Sequence, residues 1–174
     1  GGGTLVSGGL TLNNASSKLL LNSITVDNVS TSADSLGLDV DGDSTLSSLS
    51  VGHTTPVSIA SGKTLSGAIT LTAGSIKLGE AGILATTVAM SGGTTLDADE
   101  SLTISGALSQ SGAITIDVAD GKTLSYSGAS LNLGAYTLTM SGGGTLGNTN
   151  ALDLNNASSK LLLNSITVDN VSTS

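Results

Sequence analysis

Short alternations of apolar and polar residues recur along the chain and predict β-strands. In AITIDV, residues 113–118, three aliphatic side chains alternate with Thr115 and Asp117. Leu138 and Met140 alternate with threonines in the same way. A period of two, built from Thr, Ile and Val, is typical of half-buried strands. Gly, Ser, Asn and Asp separate these runs and favour tight turns.

Two segments depart from this simple pattern. GEAGILATTVAM, Gly79–Met90, has the most helix-like composition, but Gly82 and the β-branched run Thr86–Val88 favour a strand. The run Leu19–Leu21 breaks the alternation. We interpret that run as a corner, at which successive side chains both turn inward.

The sequence also repeats over a long period. LNNASSKLLLNSITVDNVSTS at Leu12–Ser32 recurs unchanged at Leu154–Ser174, and we call this the repeated segment. GGGTL at Gly1–Leu5 recurs at Gly142–Leu146, one position out of step with it. We therefore predict a tandem unit, residues 1–142, followed by the start of the next unit, residues 143–174.

A shorter spacing indicates the architecture. The triplets ITV, LSV and ITL begin at Ile24, Leu49 and Ile69, and this spacing is close to one coil of a β-solenoid, about 20 residues. A two-sheet sandwich needs large side chains to fill a core about 10 Å thick, whereas the chain has no Phe, no Trp and only two Tyr. A thin solenoid interior is expected to exclude large aromatic residues.

The predicted fold class is therefore all-β. We expect one continuous parallel β-solenoid (a β-helix) over residues 1–174, right-handed and with uncapped ends. Each coil would contain about 20 residues. Stacks of Leu, Ile, Val and Ala would fill it coil by coil, and Ser, Thr and Asn would stack on its outer faces.

Charge excludes some classes of partner. The formal net charge is −8 and the isoelectric point is near 4.1, so nucleic acid and acidic membrane surfaces would be repelled. No apolar run approaches the roughly 18 residues of a membrane helix. Cysteine is absent, which excludes disulfides and thiolate metal sites.

Several segments resemble a known group of proteins. VADGKTLSYSG (Val118–Gly128), YTLTMSGGGTL (Tyr136–Leu146) and SGGTTLDADESLTISGAL (Ser91–Leu108) are similar to the repeats of large bacterial surface proteins. These are the adhesins of the filamentous-haemagglutinin and autotransporter types, with right-handed parallel β-helices. The resemblance implies an extracellular or cell-surface location and a fibrous role in adhesion. It supplies no catalytic residues. No terminal cap or translocator segment of that group is recognised in residues 1–174, so we expect this stretch to correspond to the repetitive shaft.

One acidic cluster is a candidate metal site. Asp39, Asp41 and Asp43 alternate in DVDGDS, and carboxylates on one side of a loop suit a hard cation such as Ca²⁺. Ser44 and Ser50 stand where an EF-hand loop requires Gly and Glu. The alternative is an acidic turn on the solenoid surface. No other cofactor is predicted.

No enzyme is predicted. His53 is the only histidine and lies in the turn-rich segment Gly52–Pro56, so we interpret it as a surface loop residue. No G-x-S-x-G nucleophile motif accompanies it.

The expected function is structural: a stiff extracellular shaft whose partners are copies of itself, end to end or side by side. The alternative is an adhesive surface that binds glycans or a partner cell directly. Tyr126 and Tyr136 are the only aromatic side chains that could stack on sugars.

Overall fold

The computed structural model describes residues 2–6 and 8–173, which form 22 β-strands and no helix. In chain order the strands are β1 (Gly3–Leu5), β2 (Leu10–Leu12), β3 (Lys18–Leu21), β4 (Ile24–Thr31), β5 (Gly37–Val40), β6 (Ser44–Val51), β7 (Thr55–Ile59), β8 (Thr64–Leu71), β9 (Ser75–Gly79), β10 (Ile83–Met90), β11 (Thr95–Ala98), β12 (Leu102–Ile104), β13 (Leu108–Gln110), β14 (Ile114–Val118), β15 (Thr123–Tyr126), β16 (Leu131–Asn132), β17 (Thr137–Ser141), β18 (Thr145–Asn148), β19 (Leu152–Leu154), β20 (Lys160–Leu163), β21 (Thr167–Val168) and β22 (Val171–Thr173).

The strands form three parallel sheets that run along one axis. Sheet A has eleven strands, β1-β4-β6-β8-β10-β12-β15-β18-β21, with β2 beside β4 and β13 beside β10. Sheet B has eight, β3-β5-β7-β9-β11-β14-β17-β20, and sheet C has three, β16-β19-β22. Successive coils therefore stack in the same direction, and the chain is a parallel β-solenoid of about eight turns. The predicted fold class is confirmed.

Coil length is close to the predicted value at first and then increases. Val26 stacks on Leu46, and Leu49 stacks on Ile69, each pair one coil of about 20 residues apart. In sheet B, Asp117 stacks on Ser141, a step of 24 residues. Leu49 lies beside Val29. Ile24 and Leu49 therefore belong to different rows, and the spacing between them is not the length of one coil.

The interior is made of aliphatic rows. One row of sheet B consists of buried side chains from five successive strands: Leu38, Val57, Leu78, Ala98 and Val118. Along each strand, the residues that alternate with these buried ones face outward, as the sequence pattern predicted. The most helix-like segment is also a strand, because β10 alternates between buried and more exposed side chains. Removal of this aliphatic surface from water is the main force that holds the coils together.

The interpretation of Leu19–Leu21 as a corner is wrong. These residues lie within β3, where Leu20 faces outward with 65% of its surface exposed and Leu21 faces inward with 1% exposed. The regular alternation of a strand is therefore kept. The pattern looked irregular only because the outward position holds a leucine instead of a polar residue.

The expectation of an interior without large aromatic residues is wrong at one position. Tyr126 is 1% exposed, and its hydroxyl donates a hydrogen bond to the Ala129 carbonyl at 2.5 Å. The same oxygen accepts one from the Leu108 amide at 3.2 Å. A Cβ at position 128 would lie 2.6 Å from the Tyr126 ring, so Gly128 provides the space. The polar end of the ring is thus satisfied inside the solenoid.

The two copies of the repeated segment adopt similar local structure. The first gives β3 and β4, and the second gives β20, β21 and β22. Leu10 pairs with Val29 as Leu152 pairs with Val171. Ser23 and its counterpart Ser165 both have positive φ, 53° and 55°. The slip of one position against GGGTL arises just upstream, because the stretch from Leu146 to Leu152 is longer than that from Leu5 to Leu10.

The two copies of the repeated segment differ in how deeply their side chains are buried. Leu21 is covered by the next coil, whereas its counterpart Leu163 is 53% exposed. We expect Leu21→Ala to lower the free energy of unfolding by about 2–5 kcal/mol, because it leaves a cavity in the interior. Leu163→Ala should cost about 1 kcal/mol or less, since little burial is lost. Equilibrium urea unfolding measures both, and equal costs would contradict the described packing.

A bulge in β6 depends on a glycine in β8. The register shifts between Leu46 and Leu49, beside Gly67. Gly67 has φ +122°, and a Cβ there would lie 1.7 Å from the Leu46 carbonyl oxygen. Only glycine permits this backbone conformation and this close approach.

Gly67→Ala should therefore be strongly destabilising. Gly62 is the matched control, because its φ is +72° and a Cβ there meets nothing within 4 Å. Gly62→Ala should cost about 1 kcal/mol from backbone strain alone. Gly67→Ala should cost at least about 2 kcal/mol more, because the strands must also separate. Urea unfolding compares the two variants, and similar costs would contradict the bulge geometry.

Candidate functional site

The outer face of sheet B carries two ion pairs between lysine and aspartate. Lys18 Nζ lies 2.5 Å from Asp39 Oδ2, and Lys77 Nζ lies 3.2 Å from Asp97 Oδ2. Asp117 follows Asp97 in the same row and accepts a hydrogen bond from the Ser141 hydroxyl. We call the set Lys18, Asp39, Lys77, Asp97 and Asp117 the charged face. Each ion pair on it joins two neighbouring coils.

Asp97 is partly buried on this face, with 18% of its side chain exposed. Burial raises its pKa above the ordinary value of 3.8, and the hydrogen bond from Lys77 only partly opposes this. The Asp97 carboxylate in turn raises the pKa of Lys77. The ionised Asp97 is therefore less stable in the folded chain than in the unfolded chain.

Asp97→Asn should reveal this effect through its pH dependence. Because the folded pKa of Asp97 lies above the unfolded pKa, ionised Asp97 reduces stability at neutral pH, and this cost disappears as pH falls through the folded pKa. The melting temperature of Asp97→Asn minus that of the unaltered chain should therefore decrease from pH 7 to about pH 4. Asp120→Asn, in an exposed turn, is the control for loss of one negative charge. A difference that increases on acidification would contradict the assignment.

The three candidate calcium ligands have separate positions. Asp39 lies in β5 and pairs with Lys18. Asp43 lies in the following turn and accepts a hydrogen bond from the Thr64 amide at 2.9 Å. Asp41 is exposed between them. Within residues 2–6 and 8–173, no group of three or more His, Cys, Asp or Glu side chains is arranged to hold a metal ion. Calcium binding by Asp39, Asp41 and Asp43 stays a prediction.

His53 lies at an exposed turn before β7. Its Nδ1 is 3.9 Å from Asp34 Oδ1, and the same carboxylate oxygen accepts a hydrogen bond from the Thr54 amide at 3.1 Å. These contacts tie one coil to the next. The exposed position of His53 and these contacts fit its interpretation as a surface loop residue.

Hydroxyl side chains line the outer faces in rows. Ser75, Thr95, Thr115 and Thr139 follow one another in sheet B. On sheet A, Thr11 contacts Ser30 at 3.1 Å between hydroxyl oxygens, and the Ser48 hydroxyl donates to Asn28 Oδ1 at 2.8 Å. The sequence did not reveal the Ser75–Thr139 row, because the coils that carry it differ in length. On sheet A these side chains bond along the axis, and this bonding reinforces the stacking.

A small cavity lies between coils of sheet A. It has a volume of about 200 Å³ and is lined by Thr70, Ala89, Met90, Ser91, Ser109, Gln110 and Ser111. Ligand sites usually measure about 300–1,000 Å³. The residues that line this cavity include no titratable side chain.

Comparisons with known proteins found no relative: no protein-family model, curated protein or solved structure matches this chain. The described residues also include no helix long and apolar enough to cross a membrane. The molecule presents a continuous stack of coils, ion pairs and hydroxyl rows between coils, and a repeated segment near each end of the stack.

Proposed function

We propose that the chain is part of the structural shaft of a long repetitive protein, located outside the cell or on its surface, where it forms a stiff stalk for adhesion or cell contact. One observation carries this proposal. The identical strands β3 and β20 lie seven strands apart in the same sheet. Each tandem unit would therefore extend the solenoid along one axis by about seven coils.

The outer surface fits this role. Its ion pairs and hydroxyl rows mainly link one coil to the next. A shaft of this kind needs uniform stacking more than it needs a binding pocket. The surface location rests on the resemblance of the repeats to those of adhesins.

Direct glycan binding is the less favoured function. Aromatic rings that stack on sugars must be exposed, and Tyr126 is buried in the interior. Tyr136 is 41% exposed and is the one aromatic side chain left for this purpose. Carbohydrate recognition would thus depend on hydroxyl and amide groups with a single aromatic platform.

Electron microscopy of chains with one, two and three tandem units tests the shaft. With a spacing of about 4.8 Å between coils, each added unit of seven coils should lengthen the particle by about 34 Å at constant width. Particles that become wider or globular as units are added would contradict the proposal.

A further inference from the structure

The outer edge of the second repeat copy exposes apolar side chains that the first copy buries. Val29 is 3% exposed and its counterpart Val171 is 47% exposed, and Leu21 and Leu163 differ in the same way. The sequences are identical, so the neighbouring coil makes the difference. In the first copy that neighbour is formed by β5 and β6.

The contacts of the first copy define what fits this edge. Lys18 forms its ion pair with Asp39 of β5, and Asn28 accepts a hydrogen bond from Ser48 of β6. The counterparts in the second copy are Lys160 and Asn170. Lys160 and Asn170 therefore have the side chains needed to bind the same sequence, Leu36–Val51, in the same register.

Asn170 is already hydrogen-bonded to the coil that precedes it. Its side-chain amide donates to the Asn148 carbonyl at 2.5 Å, which fixes it to the preceding coil. Its counterpart Asn28 uses Oδ1 to accept from the following coil. Together, Asn28 and Asn170 show that an asparagine at this position can form hydrogen bonds with both neighbouring coils.

We propose that the repeated segment is an in-register joint between units, and that the exposed edge of β20, β21 and β22 is covered by the Leu36–Val51 segment of a second unit following in the same chain. In a separate molecule this segment is already paired with its own β3 and β4. A unit that follows directly in the chain has no such competitor. The inference rests on the proposed role as a shaft and specifies how its units are connected.

A two-unit chain, residues 1–174 followed by a second copy of residues 33–174, tests the joint. In the single chain, residues 1–174, Leu163→Ala should have little effect on the melting temperature. In the two-unit chain it should lower the melting temperature by about 3–8 °C, as expected for loss of a buried leucine. Hydrogen exchange of residues 160–173 should also slow in the two-unit chain.

Charge reversal tests the register. Lys160→Asp should lower the melting temperature of the two-unit chain only, and Asp39→Lys in the second unit should restore it. Lys122→Asp is the control, because Lys122 pairs with Glu100 at 2.6 Å, away from the joint. It should have the same effect in both chains.

Two results would overturn the proposal. In the first, Leu163→Ala is as mild in the two-unit chain as in the single one. If electron microscopy still shows that two-unit chain as a straight rod of doubled length, the proposed shaft is retained and only the joint is wrong. Two rods with a flexible connection would contradict both the shaft and the joint.

In the second result, the unaltered single chain forms end-to-end oligomers that Leu163→Asp abolishes. This would show that the exposed edge binds separate molecules.

Discussion

Parallel stacking of coils is the constraint on which the rest of the structure depends. Strands pair with strands about 20 residues away in the sequence, at a spacing of about 4.8 Å. A side chain therefore contacts the residue at the same place in the next coil, and rows must contain residues of similar character. The aliphatic rows inside, the hydroxyl rows outside and the ion pairs between Lys and Asp all follow from this requirement.

Exceptions to uniform stacking show how the chain accommodates irregular residues. Tyr126 is larger than its aliphatic neighbours, and Gly128 leaves space for its ring. Gly67 permits the bulge beside Leu46. Asp97 is partly buried on the charged face, and Lys77 compensates only part of the cost. The bulge is local, because β8 and β10 pair without a register shift, and the strands that carry Tyr126 and Asp97 pair in continuous register with the next coil.

The tandem repeat is the basis of the proposed function. The repeated segment occurs near each end of the stack, seven strands apart in sheet B, with matching registers toward the preceding coil in sheet A and in sheet C. One copy is covered on the side that the other exposes. Because the two copies are identical, the sequence that covers the first copy would also fit the exposed second copy, and no new interface would be needed. This property supports the proposed role as a shaft.

The sequence by itself determined the fold class, the length of the early coils and the inward residues of most strands. These features depend on alternation within one strand and on the shortage of aromatic residues, both of which are visible without the fold. The tertiary structure decided which coil positions coincide. Leu38 stacks on Val57, whereas Asp117 stacks on Ser141 after a longer coil, and each change in coil length shifts every later row.

The tertiary structure also placed individual side chains. It put Leu20 outside, Tyr126 inside and Lys77 beside Asp97. Identical leucines in the two repeat copies differ in burial, because burial depends on the next coil and not on the residue itself.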